Sequence, residues 1–199
     1  MRVKCDSNGI NVAVKSIKDG GIVIFPTDTV YGIGCDPYNK SAVEKIYKIK
    51  NREKGKLFPI LGFSKNELSK IARFDEKANK IIEKFWPGQL TLVLPLIDKK
   101  LKTSMNLEGK IAVRVPNNNC VLAVLEQCKL IIGTSANVSG FSSFSNPNDC
   151  EKNMSNYDVL LDGGIISSKG ESTIVEINQK GVKILRKGSI PEKEIFDLF

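Results

Sequence analysis

Apolar positions along this chain recur at two spacings that alternate from segment to segment. Ile10, Ala13, Val14 and Ile17 share one stripe at helical spacing, and Gly20-Gly21 ends it. The run Ile22-Val23-Ile24-Phe25 follows at once, short and continuously apolar, as a strand covered on both faces would be. Ala42, Val43, Ile46, Tyr47 and Ile49 return to the helical period, and residues 59–63 suit a strand. Asp75 is placed to cap a helix with the apolar face Ala78, Ile81, Ile82, Phe85 and Trp86, stopped by Pro87-Gly88. Beyond it, strands are expected over 90–96 and 111–115, a short helix over 121–125 and a buried strand over 130–132. Three late strands fit 159–161, 173–177 and 182–185, and Pro191 suits the first turn of a final helix.

Strands interleaved with helices indicate the α/β class, an open sheet flanked by helices. The late strands have no helices between them, so the sheet should mix parallel and antiparallel pairs. No repeat or low-complexity linker interrupts the 199 residues, and one domain over 1–199 is expected. No GxGxxG follows any strand. Lys169-Gly170-Glu171-Ser172-Thr173 carries phosphate-loop residues in the wrong order.

Composition narrows the chemistry. An apolar fraction of 41% can fill a core at this length. A net charge of +8 points to an anionic partner (nucleotide, nucleic acid or membrane surface) or merely to solvated lysine faces. The absence of histidine excludes Ser-His-Asp and Cys-His catalysis and every zinc site built on imidazole. The five cysteines, Cys5, Cys35, Cys120, Cys128 and Cys150, are odd in number and show no CxxC spacing. Neither a metal knuckle nor a disulfide framework is expected, but buried, reduced thiols of a cytoplasmic protein. No stretch approaches the roughly 20 apolar residues of a membrane span, and the start MRVKCDSNG lacks the apolar core of a signal peptide.

Four constellations could carry chemistry. Pro26–Gly34, PTDTVYGIG, sets the hydroxyls of Thr27 and Thr29, the Asp28 carboxylate and the Tyr31 phenol at a strand end, where ligands of open α/β sheets bind. Its residues would equally make a turn. Lys48–Lys56, KIKNREKGK, could clamp phosphate or simply complement a helix C-terminus. Gly133–Gly140, GTSANVSG, follows a buried strand and could line a cavity or form a cap cluster. The fourth set is Arg114 inside VRVP, Ser172-Thr173, and Arg186 inside LRKG. A guanidinium in an apolar strand needs an anionic partner, either an internal carboxylate or a ligand.

Taken together, PTDTVYGIG, KNREKGK, PGQLTLVL, IAVRVP, GTSANVSG, STIVEI and ILRKGS occur in the order and spacing of the YrdC family, and the resemblance covers roughly residues 9–190. The chain is similar to the short members of that family, those without a linker and a C-terminal domain. The resemblance implies a twisted mixed α/β sheet with a large positively charged cavity. It also implies L-threonylcarbamoyladenylate synthesis from L-threonine, bicarbonate and ATP with Mg²⁺, serving threonylcarbamoyl modification of tRNA.

Carried onto this chain, the family pattern implies Thr29, Arg114, Ser135 and Ser172 for L-threonine. It implies Lys50, Arg52, Lys56, Asn137, Ser145 and Arg186 for ATP, with Lys50 and Arg52 catalytic and no protein-held metal. Arg114 is then expected to meet the threonine carboxylate and to stand in water when the cavity is empty. The implied partner is the threonylcarbamoyl-transferase machinery, with no membrane, and the basic charge leaves room for an RNA contact. Glu53 and Leu57 stand where the family often has proline, and Leu61 and Lys110 where it often has polar or hydroxyl side chains. Two rival readings are an RNA-binding module without catalysis, which the charge allows, and a related carbamoyl-adenylate enzyme like the YrdC-like part of hydrogenase maturation proteins.

Overall fold

The computed structural model of the chain describes residues 1–53, 56–168, 170–178 and 181–199. Its strands form two mixed sheets where one was expected. The first holds, in spatial order, β1 (Arg2–Lys4), β9 (Val159–Asp162), β2 (Val23–Phe25), β3 (Gly32–Gly34) and β8 (Thr134–Ser135). The pairs among β1, β9 and β2 are parallel, and β2–β3 and β3–β8 are antiparallel. The second holds β11 (Gly181–Arg186), β10 (Thr173–Asn178), β5 (Leu90–Pro95), β6 (Lys110–Arg114), β4 (Ile60–Gly62) and β7 (Leu130–Ile132). There β10–β5 and β4–β6 are parallel, while β10–β11, β5–β6 and β4–β7 are antiparallel.

The sheets meet where the chain steps from β7 to β8 across Gly133 alone. The Ile132 amide donates to the Cys35 carbonyl at 2.9 Å, and a Cβ on Gly34 would stand 1.7 Å from the Ile132 carbonyl oxygen. Only glycine allows this backbone contact, so a local residue choice closes the junction on which the GTSANVSG segment sits.

The continuous apolar run of β2 is explained by burial on both faces. Val23 and Phe25 pack with Val159 and Leu161 against helices α1 (Ser7–Lys18) and α6 (Asn119–Cys128), while Ile24 and Leu160 turn to the larger core. Each such fully buried side chain stabilises by about 1.5–3 kcal/mol. Asp6 caps α1 by accepting from the Gly9 amide at 2.9 Å, and Asn118 caps α6 by accepting from the Cys120 and Val121 amides. Helices α2 (Lys40–Ile49) and α4 (Glu76–Phe85) form as their stripes predict, the latter capped by Asp75. Short pieces such as β1, β3, β8, α5 (Lys99–Ser104) and α7 (Pro147–Asn153) show no period, because a few residues cannot complete one.

In the second sheet the alternation divides two environments. Leu90, Leu92 and Leu94 of β5 and Ile111 and Val113 of β6 belong to the core. Thr91, Val93, Ala112 and Arg114, on the other face, line a cavity. A charged residue in an apolar strand is thus an ordinary consequence of period two.

One expectation fails. Cys5 and Cys120 form a disulfide, with Cα atoms 5.9 Å apart, joining the residue before the α1 cap to the first turn of α6. The 115-residue separation hides the pair in the sequence, and the packing of α1 against α6 makes it. Cys35, Cys128 and Cys150 are free, and burial pushes all three thiols up. Among the described residues, no helix is long and apolar enough to cross a membrane.

Candidate functional site

A cavity of ≈ 560 Å³ opens between the two sheets. Its floor is the second sheet, and its walls come from the segment after β2, the end of α2 and the residues 133–141. Five basic side chains line it, Lys50, Arg52, Lys56, Arg114 and Arg186, and among the described residues Glu171 is the single acid.

Arg114 is 5% exposed and already has a protein carboxylate. Its Nη2 donates to Asp28 Oδ1 at 2.6 Å, its Nε to the Gly88 carbonyl at 2.8 Å and its Nη1 to Thr29 Oγ1 at 3.2 Å. The expectation that the empty cavity holds Arg114 in water is therefore corrected, because Asp28 pairs with it from behind the cavity wall. Burial lowers the guanidinium below its usual value, and the adjoining Asp28 offsets only part of this. A guanidinium has five N–H donors, and these bonds use three, leaving two for a ligand carboxylate. Thr27 Oγ1 donates to the Val30 carbonyl at 2.7 Å, so in its 3.0 Å contact with Thr29 Oγ1 it acts as the acceptor. Thr29 is thereby locked under Arg114. The Tyr31 phenol faces elsewhere, donating to Gly164 and accepting from Gly163, and burial pushes it up to about 12.

On the opposite side, Arg186 donates from Nε and Nη2 to the Ser172 carbonyl at 3.1 and 2.8 Å, and from Nη2 to Ser172 Oγ at 3.0 Å. Ser172 Oγ is tied in turn to Thr91 Oγ1 at 2.9 Å, and Arg186 Nη1 pairs with Glu171. Gly188 makes this cluster possible, since a Cβ there would come within 2.4–2.5 Å of backbone atoms of Glu171, Ser172 and Thr173. Gly188→Ala is expected to cost about 1–3 kcal/mol and to displace Arg186. Urea midpoints check the first effect, and an unchanged midpoint would show that the turn yields freely.

Lys50 departs most from the picture of a solvated helix end. It is 1% exposed, and its ammonium donates to the Ser135 carbonyl at 2.5 Å, the Asn137 carbonyl at 2.8 Å and Asn137 Oδ1 at 3.0 Å. Burial pulls its pKa down to about 8, repulsion from Arg52 adds to this, and attraction to Glu171 opposes it. All three hydrogens are thus spent on the 133–141 segment, so in the empty cavity Lys50 shapes the wall where a free phosphate ligand was expected. Asn137 Oδ1 also accepts from Ser135 Oγ at 2.6 Å, which fills it, while Nδ2 donates one of its two N–H groups to the Phe141 carbonyl.

Arg52 rests over the Phe58 ring at 5.2 Å and donates from Nη2 to the Leu57 carbonyl at 3.1 Å. Its Nε is buried without a partner, as are Asp28 Oδ2 and Ser139 Oγ nearby. Arg52 and Ser139 line the cavity, so their unsatisfied atoms fit a site that takes a polar ligand. Lys56 is exposed at the mouth and pairs with Glu53 at 3.1 Å. Lys54, Gly55 and Lys169 lie outside the described residues.

Ser145 and Lys110 stand away from this lining. Ser145 is exposed and absent from the cavity lining, its carbonyl accepting from the Ile166 amide at 2.9 Å. Lys110 sits at the far end of β6 from Arg114, paired with Glu176. Sequence reasoning missed Glu171, Thr91 and the carboxylate role of Asp28. Thr91 had a signal, a hydroxyl inside the apolar run LTLVLP.

A family profile named for Sua5, YciO and YrdC, described as telomere recombination, matches residues 15–188. The chain belongs to the Sua5/YciO/YrdC family. The threonylcarbamoyl-AMP synthase of Pyrococcus abyssi is 30% identical over 198 residues, covering 98% of this chain and 58% of that relative. Among solved structures, P. abyssi Sua5 complexed with L-threonine superposes with a TM-score of 0.92 at 29% identity, over 100% of this chain and 61% of that one. Escherichia coli YciO superposes with a TM-score of 0.88 at 25% identity, over 98% of each chain. This Sua5/YciO/YrdC chain thus spans about three fifths of the Pyrococcus protein and nearly all of YciO.

Proposed function

We propose that this chain is an L-threonylcarbamoyladenylate synthase, a nucleotidyltransferase that makes threonylcarbamoyl-AMP and pyrophosphate from L-threonine, bicarbonate and ATP. The observation that carries this reading is a basic cavity joining two different anion subsites, Arg114 with its threonine hydroxyl on one side and Arg52, Lys56 and Arg186 on the other. The likeness to a Sua5 structure complexed with L-threonine supports it.

In this reading the two remaining N–H groups of Arg114 take the threonine carboxylate, and Thr29, Ser135 and Ser172 face its amine and hydroxyl. Bicarbonate takes up a proton and loses water to give carbon dioxide, and the neutral amine adds to this and releases a proton, giving a carbamate. A carbamate oxygen then attacks the α-phosphorus of ATP in line, and pyrophosphate leaves. Neither step needs a protein nucleophile, which suits a chain without histidine. Positioning and charge neutralisation supply the catalysis, with Arg52, Lys56 and Arg186 on the polyphosphate and Lys50 charging the wall behind it. Mg²⁺ would enter with the nucleotide, as part of the substrate. The product would serve a threonylcarbamoyl transferase acting on tRNA.

Mass spectrometry tests this directly. Threonylcarbamoyl-AMP is expected only when ATP, Mg²⁺, bicarbonate and L-threonine are all present. Equal ATP consumption without threonine would sink the assignment.

A further inference from the structure

Glu171 is out of place in a cavity read as a polyphosphate site. It is the one carboxylate among the described lining residues, against five cations. Arg114 and Lys56 have their own acids, Asp28 and Glu53, neither of which lines the cavity. Lys50 and Arg52 form no ion pair among the described residues, and Glu171 is the acid whose field reaches both. Its direct partner is Nη1 of Arg186, with side-chain exposures of 30% for Glu171 and 38% for Arg186.

Positioning of Arg186 does not require this carboxylate. Ser172 alone receives three bonds from Nε and Nη2, and Thr91 anchors Ser172 to the sheet. What Glu171 adds is negative charge on the one edge of Arg186 that Ser172 leaves open. We propose that Glu171 is a built-in substitute for the anionic ligand: it holds Nη1 of Arg186 while the cavity is empty and competes with the incoming polyphosphate for it. This rests on the reading of the cavity as an ATP site. A partly exposed carboxylate can swing aside into water, so the exchange lowers affinity without closing the site. The device would keep a strongly basic cavity from retaining pyrophosphate once it has formed.

Calorimetry of inorganic pyrophosphate and of ATP, in EDTA without threonine or bicarbonate, tests the idea on the wild type, Glu171→Gln and Glu171→Ala. Both variants are expected to bind pyrophosphate about two- to fivefold more tightly, the worth of one partly exposed charge pair. Their affinity should also fall more steeply with salt, because the cavity carries one more unit of net positive charge. Weaker binding would overturn the proposal and make Glu171 a positioning residue for Arg186. Weakening confined to titrations with Mg²⁺ would also overturn it, making Glu171 a ligand of the metal–nucleotide complex. If no form of the protein binds ATP or pyrophosphate, the nucleotide reading falls with it. Normal wild-type binding with no gain in either variant removes the Glu171 proposal alone.

Discussion

Arg114→Ala is expected to destabilise the empty protein by about 3–5 kcal/mol, the cost of breaking a buried ion pair by removing one partner. Asp28 would be left with a side chain 10% exposed and its Oδ2 already without a partner. The Gly88 carbonyl and Thr29 Oγ1 would lose a donor as well. The double variant Arg114→Ala/Asp28→Asn should recover a good part of that loss, because the stranded charge is gone. Neither variant should gain the roughly 2.7 kcal/mol that threonine at a hundred times its dissociation constant gives the wild type. Urea unfolding with and without threonine reads all three quantities. An Arg114→Ala protein that melts with the wild type would show that Asp28 finds another partner, and that Arg114 serves the ligand alone.

Lys50→Met comes next in size. The apolar replacement fits the volume but leaves the Ser135 and Asn137 carbonyls without their donor, at about 1–3 kcal/mol for each unsatisfied group. Relief from burying an ammonium offsets part of this, so a net loss of about 2–4 kcal/mol is expected. Amide exchange should then speed up across 134–141 before it does in β5 or β6. Uniform protection would mean that the wall holds without Lys50. The same ammonium predicts a pH effect on the wild type. An anion in the cavity favours protonated Lys50, while the empty protein gives up that proton near its pKa of about 8. Polyphosphate affinity should therefore fall as pH rises through about 8, with proton uptake on binding at and above that pH. In Lys50→Met this dependence should disappear, and a flat wild-type profile from pH 7 to 9.5 would disconnect Lys50 from the ligand.

Local sequence determined every feature that needs only neighbouring residues to decide it. The helical stripe of α1, the cap at Asp75 and the two-sided run of β2 were legible because period and capping act within a turn or two. The family pattern likewise brought Thr29, Arg114, Ser172, Arg52 and Arg186 into one cavity before any contact was known. Tertiary structure alone decided what those charged groups meet. Asp28 and Arg114 are 86 residues apart, and Lys50 and Asn137 87, so nothing local distinguishes a paired cation from a free one. The Cys5–Cys120 bond and the place of Ser145 away from the described cavity lining share that cause. Burial and pairing depend on which distant segments pack together, and that is fixed by the whole core, whereas spacing along the chain is fixed by backbone geometry.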